Sequence, residues 1–253
     1  HNSFINAGAE VIITNSYAIV PFHIGQERFE SEGRKLIKLA AQIAREAADK
    51  ADHKVLVAGS IPPAFGSYRA DLYIEDKAED IYRPLIEEQA EYVDFWIAET
   101  ISTVREAQKI ASLLKLYPKP LWLSFTVKDR QGEDINPQLR SGESIEQAIQ
   151  CAEDLKAAAL LFNCSQPEEM SAVLDIVQAS QTSLPYGAYA NAFEPIAKDQ
   201  EANNHEAILR QDTTPERYLA YAQKWQAQGA TIIGGCCGIG PAHIQALGAL
   251  NKG

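Results

Sequence analysis

The stretch Gly229–Ile244, GATIIGGCCGIGPAHI, compresses a strand, two adjacent cysteines and the start of a helix into sixteen residues. Thr231–Ile233 reads as the β-branched body of a buried strand, and Gly240–Pro241 as a helix opening with proline in its first turn. Cys236 and Cys237 lie between them, flanked by Gly234, Gly235 and Gly238. Neighbouring cysteines pair poorly with each other, because their Cβ vectors diverge and the ring they would close is strained. Two sulfurs at a strand end therefore ask for a shared partner, and the glycines relax the backbone enough for both to face it.

The same strand-then-helix unit recurs upstream. Near-continuous apolar runs begin at Val11 (VIITNSY), Lys54 (KVLVAGS), Phe95 (FWIAET), Leu121 (LWLSFTV), Ala159 (ALLFNC) and Pro185 (PYGAYAN), as expected of parallel strands covered on both faces. Helical patterns separate them. Leu36, Leu39, Ala40, Ile43 and Ala47 recur at helical spacing and predict the apolar stripe of one helix. Thr214 and Pro215 predict the start of another, with Tyr218, Tyr221, Ala222 and Trp225 on its apolar face and Gly229 just past its end. Seven strands, each followed by a helix, imply right-handed βαβ units and the α/β class. A short helix over about residues 2–7 precedes the first strand. The pattern predicts a (β/α)8 TIM barrel whose first strand is missing from the sequence, forming a single domain over residues 1–253. An open doubly wound sheet would want a glycine-rich phosphate loop after an early strand, which is absent.

Composition narrows the function. The chain has 253 residues, 46% of them hydrophobic, enough for one sizeable core. A formal net charge of -11 with no basic stripe argues against nucleic acid and against an anionic membrane surface as partners. No apolar run reaches the ~18 residues of a membrane span. The opening HNSFINAGAE lacks the basic and apolar regions of a signal peptide. Four cysteines in a chain of this length are no disulfide scaffold and fit a reducing cytoplasm. The sequence marks no interface, so a homo-oligomer stays open.

Chemistry is expected where parallel strands end. Cys164 closes ALLFNC, and Cys236 and Cys237 close TIIGGCC, one strand apart. Three thiols converging there predict a metal site. Zn²⁺ is the natural occupant, with one tetrahedral position left open for catalysis. A single buried cysteine is more often a small hydrophobe, and Cys151, on a helical stripe with Ala148 and Leu155, is read that way. His243, a turn into the last helix, is read as a packing residue. His23 and His205 fall in loops, His53 at a helix–strand junction and His1 at the start, so no histidine is assigned to catalysis. Glu99, ending FWIAET, is placed to take a substrate ammonium group, against the alternative of a solvated loop acid. Thr14, in IITNSY, is placed to bond a carboxylate, against the alternative of a turn or cap.

These segments taken together resemble the homocysteine S-methyltransferase family. AGAEVIITNSY, VAGSIPPAFGSYRADLY, AETISTVREA, LSFTVKD, FNCSQPEE, YANAF and GGCCGIGPAHI follow its order across essentially the whole chain, with the NC and GGCCG elements the most specific. The resemblance implies a zinc-dependent methyltransferase with Cys164, Cys236 and Cys237 as ligands. It implies that Glu99 holds the homocysteine amino group, with Thr14 and Asn163 in the substrate pocket. It also implies a first strand bearing an Asp-Gly-Gly-like segment, which would precede His1. The chain has no room for separate folate and cobalamin domains, so the expected methyl donor is a small sulfonium compound, S-methylmethionine or S-adenosylmethionine. Betaine, or a non-catalytic barrel with a structural zinc, is the alternative.

Overall fold

A computed structural model describes residues 1–129, 136–195 and 208–252. Helix α1 (Asn2–Asn6) leads into strand β1 (Val11–Ile13), followed by a short helix α2 (Pro21–Ile24) and the long α3 (Gln26–Asp49). Five strand–helix units come next: β2 (Leu56–Ile61) and α4 (Glu75–Gln89), β3 (Phe95–Ile101) and α5 (Val104–Leu114), β4 (Leu121–Phe125) and α6 (Ile145–Asp154), β5 (Ala159–Asn163) and α7 (Pro167–Ser180), β6 (Tyr186–Tyr189) and α8 (Pro215–Ala227). The short β7 (Ile232–Ile233) and α9 (Pro241–Leu247) close the series. All seven expected strands are present, paired in parallel in sequence order β1 to β7.

Two apolar layers hold this sheet. One lies between strands and helices and includes Ile37, Val57, Tyr82, Leu123, Phe162, Val173 and Trp225. The other is smaller and lies on the opposite face of the strands, joining Ala58, Phe95, Ile97, Leu161 and Tyr189. Residues of β1, β3, β4, β5 and β7 line one common cleft, so the sheet curls around its own inner face. Every residue of β3 and β5 is buried, which is why these strands read as near-continuous apolar runs.

Local signals behaved as their chemistry requires in α8. Thr214 accepts a hydrogen bond from the Arg217 amide, Pro215 opens the helix, and Gly229 adopts φ +89° beyond its end. Tyr218, Ala222 and Trp225 are fully buried, while Tyr221 is half-buried.

Of the stripe expected on α3, Ala40 is buried and Leu36 and Ala47 are half-buried, while Leu39 and Ile43 are not on the core face. The face turned to the core is Phe29, Gly33, Ile37, Ala40, Ala41, Ala44 and Ala48, whereas Leu39 and Ile43 are 48% and 50% exposed. Close packing of α3 against its neighbours selects alanine at the contact. Leu39 and Ile43 instead look into a cleft of about 1340 Å³, shared with Val11, Ile13, Ile232 and Ile244, where the β1 and β7 ends of the sheet face each other. Part of the irregular stretch after Phe193, including His205, lies outside the described residues.

Candidate metal centre

The sulfurs of Cys164, Cys236 and Cys237 all lie within 4.8 Å of one another, at the carboxyl ends of β5 and β7. Cys237 Sγ is 3.8 Å from Cys164 Sγ and 4.0 Å from Cys236 Sγ; the third pair is 2.8 Å apart. Sulfurs around a tetrahedral zinc stand about 3.8 Å apart, given bonds of about 2.3 Å. Two separations match that value, and the third would open by about 1 Å on metal binding. Burial falls from Cys164, which is buried, through Cys236 to the exposed Cys237, so the trio is enclosed on one side and open on the other. Sulfhydryl hydrogen bonds from Cys164 and Cys236 pull the Cys237 thiol down to about 3, while donating to Cys164 and to Cys237 pushes Cys236 well above its ordinary value. Three thiols this close oppose one another's ionisation, and a soft divalent cation is the partner their chemistry fits.

Backbone geometry sets the sulfurs. Cys164 sits at φ +53°, in the left-handed region a non-glycine residue rarely enters. Tyr68 (φ +67°), in the loop after β2, and Thr100 (φ +59°), near the end of β3, share that strain. Gly238, at φ +79°, turns the chain after the cysteine pair, and Gly235 lets Ile239 pack where a Cβ would collide with it. The cysteine turn is stitched to the end of β6 by the Cys236 amide to the Ala190 carbonyl (2.9 Å) and the Ala192 amide to the Cys237 carbonyl (2.8 Å). Beneath it, the buried Tyr218 hydroxyl donates to the Gly234 carbonyl at 2.7 Å and accepts from the Ala190 amide at 3.1 Å. Cys151 lies in the core on α6, away from the trio, and burial pushes its thiol up to about 12.

Glu99 is buried beside this centre. The register of β3 against β4 shifts between Ala98 and Ile101, a bulge that re-aims the side chains of Glu99 and Thr100. The Ser60 hydroxyl donates to Glu99 Oε1 at 2.5 Å. Burial pushes the carboxyl up to about 7; the Ser60 hydrogen bond opposes the rise and nearby Cys237 adds to it. Ser60 is held in turn: its amide donates to Thr14 Oγ1 at 2.9 Å, and its carbonyl accepts from Gln89 Nε2 at 3.0 Å. Thr14 Oγ1 donates to Gln89 Oε1 at 2.5 Å. Gln89, fully buried at the end of α4, is the hub. Asn163 likewise spends its amide inside the protein. Its Oδ1 accepts from the Thr100 amide (2.9 Å) and the Ser124 hydroxyl (2.8 Å), and its Nδ2 donates to Thr100 Oγ1 (2.8 Å).

Thr14 and Asn163 are therefore both engaged within the protein, next to Glu99 rather than turned toward solvent. Ser60, Gln89, Tyr68 and Tyr218 were not singled out from sequence for the site. A serine, a glutamine and two tyrosines carry no spacing signal, and only the fold brings them to the mouth. Among the histidines, His243 Nδ1 accepts from the Gly240 amide (3.1 Å) and its Nε2 bonds the Thr213 carbonyl (2.9 Å), a local tie at the start of α9. His53 bonds the Ala9 carbonyl at 3.0 Å.

A curled parallel α/β sheet presenting three thiols and a buried carboxylate at its carboxyl edge defines a thiol-centred enzyme site. Residues 1–250 match the family model for homocysteine S-methyltransferase, and the chain belongs to that family. It is 30% identical to homocysteine S-methyltransferase YbgG of Bacillus subtilis (strain 168), covering 98% of this chain and 81% of that protein. It is 30% identical to homocysteine S-methyltransferase of Escherichia coli (strain K12), over 98% of this chain and 82% of the relative. The crystal structure of the homocysteine methyltransferase MmuM from Escherichia coli in its metallated form superposes with a TM-score of 0.78 at 28% identity, covering 99% of this chain and 82% of MmuM.

Proposed function

We propose that this methyltransferase moves a methyl group from a sulfonium donor, S-methylmethionine or S-adenosylmethionine, to the thiolate of homocysteine, giving methionine. The meeting of Cys164, Cys236 and Cys237 at an open strand-end mouth carries the reading. Three cysteine thiolates would hold Zn²⁺ and leave a corner free, the pattern of catalytic rather than closed structural sites. When bound, the zinc would lower the pKa of the acceptor thiol, ordinarily near ~8.5, and so supply a thiolate at neutral pH.

The chain's own residues bind and orient. Glu99 takes the amino group of homocysteine, and Ser60, Thr14 and Gln89 fix the direction of its carboxylate. Asn163 holds the strained Thr100 backbone that aims Glu99. In the transfer, a lone pair of the homocysteine thiolate forms the new sulfur–methyl bond. The donor's carbon–sulfur bond breaks in line and its electron pair returns to the donor sulfur, turning a sulfonium into a neutral thioether. No proton moves in that step, so no general base is required. The hydrogen bonds that occupy His243 and His53 support the same view.

We infer one domain over residues 1–253, completed as a (β/α)8 barrel by a further strand seated between β1 and β7. The apolar cleft between those ends, into which Leu39 and Ile43 look, supports it. Amides of Val11–Ile13 should gain hydrogen-exchange protection in a chain that carries such a strand, and unchanged exchange would reject the completion. The need for three reduced sulfurs supports a reducing, cytoplasmic setting. Among the described residues no helix is long and apolar enough to cross a membrane.

The test is a methyl-transfer assay with homocysteine and each donor in turn, alongside metal analysis. Stoichiometric zinc and turnover with a sulfonium donor are expected. Turnover with betaine alone would replace the donor, and full activity without zinc would remove the metal from the reading.

A further inference from the structure

Tyr68 lies in the loop after β2, nearly buried, at φ +67°. The strain is held by contacts on every side. Its hydroxyl donates to Cys164 Sγ at 3.0 Å. The Arg140 guanidinium lies 4.9 Å from the centre of its ring. Arg140 reaches that position through a 3.1 Å ion pair with Asp129, whose side chains are 6% and 1% exposed. Asp129 also accepts from the Gln166 amide at 3.4 Å, two residues beyond Cys164. The neighbouring Ser67 shares a 2.6 Å hydrogen bond with the Tyr17 hydroxyl. Cys164 and Arg140 touch the phenol directly, while Asp129, bonded in turn by Gln166, holds Arg140, and Tyr17 holds the adjoining Ser67.

A hydrogen bond to a thiolate withdraws electron density from it and fixes the direction of its lone pairs, so it tunes the metal that the sulfur binds. A buried cation over the ring raises the positive potential at the phenol and strengthens its donation. Three thiolates and a substrate thiolate on one divalent cation would leave the centre doubly negative. A donor to the deepest sulfur offsets part of that charge.

We propose that Tyr68, backed by Arg140, is a positioning residue that sets the direction and donor strength of the Cys164 thiolate at the metal centre. The proposal rests on the three-cysteine metal reading.

The test uses Tyr68→Phe, which keeps the ring and deletes only the hydroxyl. Zinc affinity by chelator competition should fall about 10- to 100-fold, the range typical of outer-shell partners. In the cobalt(II)-loaded protein, the sulfur-to-metal charge-transfer band should move to lower energy, because the sulfur becomes more electron-rich. Incorporation of 3,5-difluorotyrosine at position 68, a stronger donor of the same shape, should move that band the other way. A merely structural role would not produce opposite shifts. Unchanged affinity and band position in Tyr68→Phe would overturn the proposal, and so would equal bands for tyrosine and difluorotyrosine if Tyr68→Phe failed to fold. A wild-type protein that binds neither zinc nor cobalt would overturn the metal reading itself, and this proposal with it.

Discussion

The sulfur mouth and the β1–β7 cleft are built from the same curled sheet, yet they are opposite in character. At the mouth the buried side chains are cross-linked between strands: Gln89 serves Thr14, Ser16 and Ser60, Asn163 serves Thr100 and Ser124, and Tyr218 serves Gly234 and Ala190. Strained residues there are held by several contacts each. The cleft is apolar and loosely covered, with Leu39, Ile43 and the free edges of β1 and β7 facing one space. The lesson is one of local determination. A site that must aim sulfurs and a carboxylate is over-determined by cross-strand hydrogen bonds, whereas apolar surface at a sheet edge is determined only by whatever covers it.

Cys236→Ser should lose stoichiometric zinc and bring methyl transfer to background, with far-UV circular dichroism unchanged; metal content and turnover measured on one sample check it. Retained zinc would mean that the three sulfurs are not a set.

Glu99→Gln should lower kcat/KM for homocysteine by about 10- to 100-fold, the equivalent of ~1.5–3 kcal/mol for a charge-assisted hydrogen bond. In the wild type, homocysteine should bind more tightly as pH rises through about 7, where Glu99 ionises, and the variant should lose that dependence. Stability carries the opposite sign. The folded pKa lies above the ordinary carboxylate value of 4.5, so the Glu99 contribution is intact below 4.5 and is lost as pH rises through about 7. Glu99→Gln should therefore stabilise the unliganded protein at pH 8 relative to its effect at pH 5. Urea unfolding at the two pH values measures this.

A pair of substitutions on α3 separates its buried face from its cleft side. Ala44 is fully buried against its neighbours, so Ala44→Leu should cost about 1–3 kcal/mol by overpacking. Leu39→Gln, one and a half turns away on the cleft side, should stay within about 0.5 kcal/mol of wild type. Thermal denaturation of both decides it. A large cost for Leu39→Gln would show that the cleft is covered in solution.

Legibility in the sequence follows the same division. The strands were readable because burial on both faces leaves near-continuous apolar runs. Cys164, Cys236 and Cys237 were readable because cysteine is rare and three stood at strand ends. Leu39 and Ile43 fall off the buried face of α3 because hydrophobic size is not the same as burial: alanine wins where helices and sheet approach closely. Ser60 and Gln89 are 29 residues apart in sequence and Tyr68 and Cys164 are 96 apart, so no local pattern could join them.

By itself, the sequence determined the order and parallel pairing of the strands and which residues carry sulfur to their ends, because periodicity and residue chemistry are local properties. Tertiary structure alone decided that the three sulfurs lie within 4.8 Å, that Tyr68 aims its hydroxyl at one of them, and that Gln89 anchors the support of Glu99. Those outcomes depend on the curl of the sheet and on three backbones held in the left-handed region, and both are enforced by contacts between residues far apart in the chain.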